Sequence, residues 1–306
     1  MANAAETDQS VYYVPHSGWY PVVLAAGVML MLTGFATWLN ETKAGEPGSW
    51  TQSIIGFAMM SVVLYYWFAK VIAENQEGLV NEQLKRSYVW GMGWFIFSEV
   101  MFFAAFFGAL YYTRVIAVSW LGGEGAKGLT GDYLWPEFEA AWPVLSNPDS
   151  ALFPPPNESM EAPGLSSWLS YLPFWNTVIL LSSSVTVHWA HSAIKEGNRA
   201  KLKLWLGITV LLGIIFLILQ AEEYIHAYSE LGLTMGSGIY GSTFFILTGF
   251  HGFHVTLGTI ILLVQFLRSL KGHFSHEDCF GFEAASWYWH FVDVVWVGLF
   301  IFVYVL

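Results

Sequence analysis

Seven runs of 18–24 mostly apolar residues constrain this chain more than any other feature: Trp19–Leu39, Ser53–Ala73, Trp90–Tyr112, Leu172–Ala190, Leu204–Ala221, Gly241–Val264 and Ala284–Leu306. A helix rises about 1.5 Å per residue, so roughly 20 apolar residues span the hydrocarbon of a bilayer. Barrel strands would instead show alternating segments of about ten residues. Composition agrees: hydrophobic residues make up 55% and charged residues 11% of the 306, with a mean hydropathy of +0.50. A soluble domain carries about 25% charged residues. The fold class is therefore an all-α membrane protein, and residues 1–306 are expected to form a single seven-helix membrane domain.

Charge sets the expected orientation. Alternate loops on the N-terminal side carry Lys70, Lys85, Arg86, Lys195, Arg199, Lys201, Lys203, Arg268 and Lys271, nine bases in all. The opposite side carries only Lys43, Arg114 and Lys127. The positive-inside rule then puts the N-terminus in the cytoplasm and the C-terminus outside. The N-terminal segment MANAAETDQS has two acids and no base, so it has neither the charged start of a secretory signal nor the Arg-rich character of a transit peptide. The first span is expected to act as its own insertion signal.

One long connection, residues 114–169, falls outside. It holds Pro136, Pro143, Pro148, Pro154–Pro156 and Pro163, which argues for an irregular path rather than a further helix. Its seven acids against two bases make it either a solvated loop or a negative surface that steers a basic protein. The net charge of −11 argues against a nucleic-acid partner. The lone Cys279 rules out an intrachain disulfide and a CxxC motif.

Ionisable groups inside the spans are the candidate functional residues, since each costs roughly 2.5–3.5 kcal/mol or more to insert. Glu99 sits in WFIFSEVMFFAAFFG, about 14 Å deep. His251 and His254 in GFHGFH are three apart and share a helix face, as do His290 and Asp293 in WYWHFVDVVW. Depth counting puts Glu99, His254, His290 and Asp293 in one layer of the inner half, with His251 a turn further out. An acid without a compensating cation is expected there as the protonated form, either a neutral hydrogen-bond donor or a group that exchanges protons. The plainer reading is a polar cluster that pins helices together, at about 1 kcal/mol per contact. His254 and His290 are formally haem ligands, but evenly placed His pairs on facing helices are lacking. Basic clusters at His188, His191, Lys195 and Arg199, and at Arg268, Lys271 and His273, read as a topology-setting rim or as lipid-headgroup contacts. Glu222, Glu223 and His226 read as a solvated helix end.

The chain resembles cytochrome c oxidase subunit III of the haem–copper oxidase superfamily. The strings that carry the resemblance are SEVMFF, NTVILLSS, WAH, EGNR, YGSTFFILTGFHGFHV and GFEAASWYWHFVDVVW, and it runs from the first span to the C-terminus. It implies a two-helix bundle (spans one and two) splayed from a five-helix bundle (three to seven), with phospholipids between them. It also implies a chain with no catalytic residue, metal or redox cofactor of its own. The haems and copper then belong to partner subunits I and II of an oxidase that reduces O2 with electrons from cytochrome c. The role implied is to sustain proton uptake and protect the catalytic subunit. The family's intramembrane carboxylate matches Glu99, and its lipid contacts match Trp67, Glu74, Arg268 and His273, with Lys70 and Lys271 as added phosphate contacts. Tyr13 stands where many members carry a His, leaving His16 nearby, and Ala69-Lys70 replaces a step that commonly ends in Asp. The expected location is the bacterial cytoplasmic membrane rather than the mitochondrial inner membrane, with cytochrome c as a candidate partner of the acidic outer loop. Other readings are the ubiquinol-oxidase equivalent, disfavoured by seven spans; a stand-alone proton or ion carrier, which lacks repeat symmetry; and a transmembrane cytochrome b.

Overall fold

A computed structural model describes residues 13–14, 18–163, 165–275 and 279–306, so His16 lies outside the described residues. Among them are seven long helices: α1 (Trp19–Lys43), α2 (Thr51–Gln76), α3 (Glu82–Tyr111), α4 (Leu172–Lys195), α5 (Arg199–Ser229), α6 (Ile239–Leu270) and α7 (Phe280–Leu299). They outrun the apolar windows because polar ends continue to wind: α5, for example, extends from the expected Leu204–Ala221 to Arg199–Ser229. No strand is present among the described residues. Six of the helices are long and apolar enough to cross a membrane; α4 is not among them, although it has 24 residues. Its deficit comes from Asn176, His188 and His191 together with the hydroxyls of Thr177, Ser182, Ser183, Ser184 and Thr186. The chain divides within α3 into two compact units, one ending at Gly91 and the other Met92–Leu306.

In the first unit α1 and α2 pack as a hairpin at very close range. A Cβ on Gly34 would lie 2.6 Å from the Ser53 nitrogen, and one on Gly56 would lie 2.4 Å from the Met31 nitrogen. Only glycine allows the two backbones this approach, which is how helices associate where no hydrophobic force drives them together. Polar side chains add to the seam: Ser53 Oγ donates to the Met31 carbonyl (3.1 Å) and Gln52 to Thr33 Oγ1 (2.7 Å). The N-terminus of α3 is capped by Asn81, whose Oδ1 accepts from the Leu84 N–H.

The second unit is built around α7. Trp289, Trp296, Val292 and Leu299 are fully buried, enclosed by α4, α5 and α6. Gly258 on α6 leaves the room that Trp289 fills, since a Cβ there would lie 2.8 Å from the indole. Each indole N–H is satisfied from α4: Trp289 Nε1 donates to Ser183 Oγ (2.8 Å) and Trp296 Nε1 to Thr177 Oγ1 (2.9 Å). The hydroxyls that make α4 too polar to qualify by composition are thus the partners of the central helix. The α4–α5 turn follows from two residues. Gly197 takes a left-handed φ of +69°, and Asn198 caps α5 by accepting from the Lys201 N–H.

The outer connection departs from the irregular path expected for 114–169. Its start winds on from α3 through a π-helical turn (Tyr112–Ala117) and a short helix (Val118–Leu121). Further turns follow at Gly125–Lys127, Leu129–Leu134 and Leu165–Ser170. The reason is that Pro136 is the first proline, so nothing breaks the helix hydrogen bonding before it. The proline-containing part is irregular but anchored: Tyr240 Oη accepts from the Met160 N–H (2.9 Å), and Tyr171 Oη donates to the Met160 carbonyl (2.7 Å).

The α1–α2 seam carries a direct prediction. Gly56→Val should destabilise the hairpin by about 1–3 kcal/mol through overpacking, read by denaturant titration of the chain in mixed micelles. Gly18→Ala just before α1 should leave stability nearly unchanged, because its φ is −73° and nothing lies within 4 Å of its Cβ position.

Candidate functional site

The intramembrane ionisable groups of the second unit separate into distinct pairs. Glu99 on α3 meets His254 on α6, with Oε2 2.9 Å from Nε2. His254 Nδ1 lies 2.6 Å from the Phe250 carbonyl. That carbonyl only accepts, so Nδ1 carries a hydrogen. One proton then remains for the Glu99–His254 contact, held either as carboxylic acid against neutral imidazole or as carboxylate against imidazolium. Both forms leave the pair with no net charge, which removes most of the insertion cost of a lone acid. Phe102 and Phe103 flank the imidazole at 5.8 and 5.0 Å, and Tyr288 stacks at 6.5 Å. The His254 side chain is 8% exposed and that of Glu99 22%.

His290 and Asp293 do not join that pair, contrary to the single layer expected from depth. His290 Nδ1 lies 2.7 Å from Ser184 Oγ on α4 and 3.8 Å from Asp293 Oδ2. Equal depth does not give equal direction: α7 turns this pair toward α4, while Glu99 points to α6. His251 is fully buried and separate again, with Nε2 3.3 Å from the Val292 carbonyl and its ring against Trp296 at 5.1 Å. Its Nε2 is therefore the donor, and the residue pins α6 to α7.

Reading Glu222, Glu223 and His226 as one solvated helix end is corrected for Glu223. That carboxylate is 2% exposed and accepts a 2.5 Å hydrogen bond from Tyr304 Oη. The signal lay in spacing, since Gln220, Glu223 and Ala227 share the buried face of α5 while Glu222 and His226 face outward. The expected basic cluster at the end of α4 also changes: His191 turns to Glu283 on α7 at 3.2 Å rather than standing free as a headgroup contact.

The lipid-contact candidates fall in both units. In the first, Trp67 stacks on Tyr20 at 5.9 Å, and Lys70 Nζ lies 3.9 Å from the buried Glu74. Tyr13 hydrogen-bonds Glu74; desolvation, followed by the charge of that carboxylate, pushes the phenol pKa up. In the second, Arg268 hydrogen-bonds Gln265 (3.0 Å) and covers the Phe274 ring at 4.8 Å, with Lys271 exposed beside it. Desolvation and then the Arg268 and Lys271 charges hold His273 below the ordinary imidazole range, so it is neutral at pH 7. The cations offered by this trio are thus Arg268 and Lys271. The folded state takes up the His273 proton less readily than the unfolded state. Its stability contribution is therefore intact above the ordinary imidazole pKa and lost as pH falls through the depressed folded value.

These features define a polytopic all-α membrane protein in which intramembrane Glu99, His254, His290 and Asp293 pair with one another or with Ser184, and His251 with a backbone carbonyl. Residues 10–127 and 166–306 match the family described as Cytochrome c oxidase subunit III. The chain is similar to cytochrome c oxidase subunit 3 of Oryctolagus cuniculus, 36% identical over 294 residues that cover 96% of each chain. It is similar to the Drosophila melanogaster protein of the same name, 37% identical over 303 residues and 98% of each chain. The Hippopotamus amphibius protein gives 36% over 294 residues, again 96% of each. The chain belongs to the cytochrome c oxidase subunit III family.

Substitutions at Glu99 separate a hydrogen bond from a required charge. Glu99→Gln can donate to neutral His254 Nε2 and should cost less than about 1 kcal/mol of stability. Glu99→Ala leaves a buried imidazole nitrogen without its partner and should cost about 1–3 kcal/mol. Unfolding of both variants in mixed micelles checks the order.

Proposed function

We propose that this chain is the accessory, non-redox subunit of a terminal oxidase that reduces O2 with electrons from cytochrome c. Its partners are the haem–copper catalytic subunit I and the copper-bearing subunit II. The observation that carries this reading is family membership along the whole chain, from residue 10 to residue 306 apart from part of the outer connection. The site chemistry supports it. His254 has both ring nitrogens engaged, so that imidazole is committed to holding α3 and α6 rather than to axial ligation of haem. The relatives' name also favours cytochrome c over ubiquinol as electron donor.

In this proposal all seven long helices cross the bacterial cytoplasmic membrane, with the N-terminus inside and a single membrane domain overall. A polar α4 is tolerable as a span because Thr177, Ser183 and Ser184 are bonded to α7 rather than exposed to lipid. Phospholipids are contacted by Trp67, Lys70 and Glu74 in the first unit and by Arg268, Lys271 and His273 in the second. The Glu99–His254 pair fixes α3 on α6 and so supports proton uptake by the catalytic subunit without forming an obligatory proton wire. The acidic outer loop offers cytochrome c a negative surface.

Isolation of the tagged chain from its native membrane, with an optical spectrum and subunit masses, tests the assignment. A haem-bearing polytopic partner should co-purify, and dissociating it should remove all haem absorbance from this chain. Haem retained on the chain alone would contradict the reading, and so would purification without an oxidase. Within the assembled enzyme, Glu99→Gln should preserve oxygen reduction at neutral pH. Arg268→Ala should leave the initial rate unchanged while lowering native lipid content and shortening the time to turnover inactivation. Full lipid loss with an unaltered inactivation curve would break the link between lipid and lifetime.

A further inference from the structure

We propose that His191, Cys279 and Glu283 form a binding site for a divalent cation of the zinc class, joining the end of α4 to the start of α7. His191 lies four residues before the end of α4, Cys279 is the N-cap of α7, and Glu283 is in its first turn. Cys279 and Glu283 are therefore one helical turn apart and face the same neighbour. Each of the three offers one donor atom, and these atoms all lie within 4.8 Å of one another. His191 Nε2 is 3.2 Å from Glu283 Oε1, and Cys279 Sγ is 3.8 Å from that same oxygen.

The spacings suit tetrahedral coordination. Zinc bonds of about 2.0–2.1 Å to N and O and about 2.3 Å to S give edges of about 3.3 Å for N···O and about 3.5 Å for S···O. The N···O edge already has this length, and closing the S···O edge from 3.8 Å, with the His191–Cys279 edge drawn in from a separation within 4.8 Å, converts the trio into a ligand set. One sulfur, one imidazole and one carboxylate select a borderline-soft cation over magnesium or calcium, which take all-oxygen sets. Three protein ligands leave a fourth position for water. Access and support are both present: the His191 and Glu283 side chains are 23% and 31% exposed, and the fully buried Phe282 lies behind the imidazole at 5.9 Å. Binding replaces the thiol proton and any proton on the carboxylate or on His191 Nε2 with the metal, the imidazole keeping its hydrogen on Nδ1, so the displaced protons pass to solvent and no oxidant or reductant is involved. The cation clips α4 to α7 at the end of the unit remote from Tyr304. None of the three ligands belongs to the Glu99–His254 pair or to the Arg268, Lys271 and His273 group, although the Arg268 guanidinium reaches Gly281 in the same turn of α7.

Cys279 is the only cysteine of the chain, so thiol chemistry reports on this position alone. The test uses the full chain purified in detergent, titrated with Co2+ as a spectroscopic probe and then with Zn2+. A near-ultraviolet thiolate-to-cobalt band should grow to one equivalent and be displaced by Zn2+. Cys279→Ser should abolish it, and His191→Gln and Glu283→Gln should each weaken binding at least about tenfold. In the wild-type chain, which needs no variant to fold, Zn2+ should slow alkylation of Cys279 by a similar factor. The proposal is overturned by an alkylation rate insensitive to Zn2+. A cobalt band of equal affinity in the His191→Gln and Glu283→Gln chains would overturn it as well, because it would mark a lone thiol.

Discussion

The second unit depends on how α7 is buried. A helix that buries two of its three tryptophans and an aspartate, with a histidine beside them, brings polar atoms where water cannot follow, and these call for protein partners. Ser183 and Thr177 on α4 accept from the two indoles, and Ser184 meets His290. One helix of poor hydropathy therefore makes it possible to bury the tryptophan face of another. The glycines of α5 and α6 complete the arrangement, because Gly213 and Gly258 leave the space that the Trp289 ring occupies.

Glu99 belongs to the same logic. With His254 as partner and the Phe250 carbonyl fixing the imidazole hydrogen, acid and base share one proton inside a ring of aromatic side chains. Such a pair is neutral whichever atom holds the proton, so it costs little in place and ties α3 to α6. Separating it would leave an acid or an imidazole alone in a low-dielectric setting. This geometry gives Glu99 a structural part, tying α3 to α6.

Much of this was legible in the sequence, because apolar run length and the price of buried charge are strong signals. The long helices, their order and the importance of Glu99 and His254 follow from them. Rotation about each helix axis does not. Glu99 and Asp293 lie at equal depth yet face α6 and α4, so the expected four-membered layer divides into two pairs. Glu223 was hidden for a related reason: beside Glu222 it looks like a solvated end, and only the face shared with Gln220 and Ala227 reveals its burial. His191 resembled a rim cation until the fold brought Glu283 and Cys279 to it. The prolines of the outer connection mark only where helices stop, so the turns before Pro136 needed the structure.

A double-mutant cycle on Ser183 and Trp289 tests most directly whether α4 hydroxyls hold the central helix. Ser183→Ala, Trp289→Phe and the double variant would be unfolded in mixed micelles, and the coupling energy taken from the cycle. The account predicts a favourable coupling of about 0.5–3 kcal/mol, with the second substitution costing less once the first is made. Strict additivity would show that the bond contributes nothing, and that α7 is held in place by shape alone.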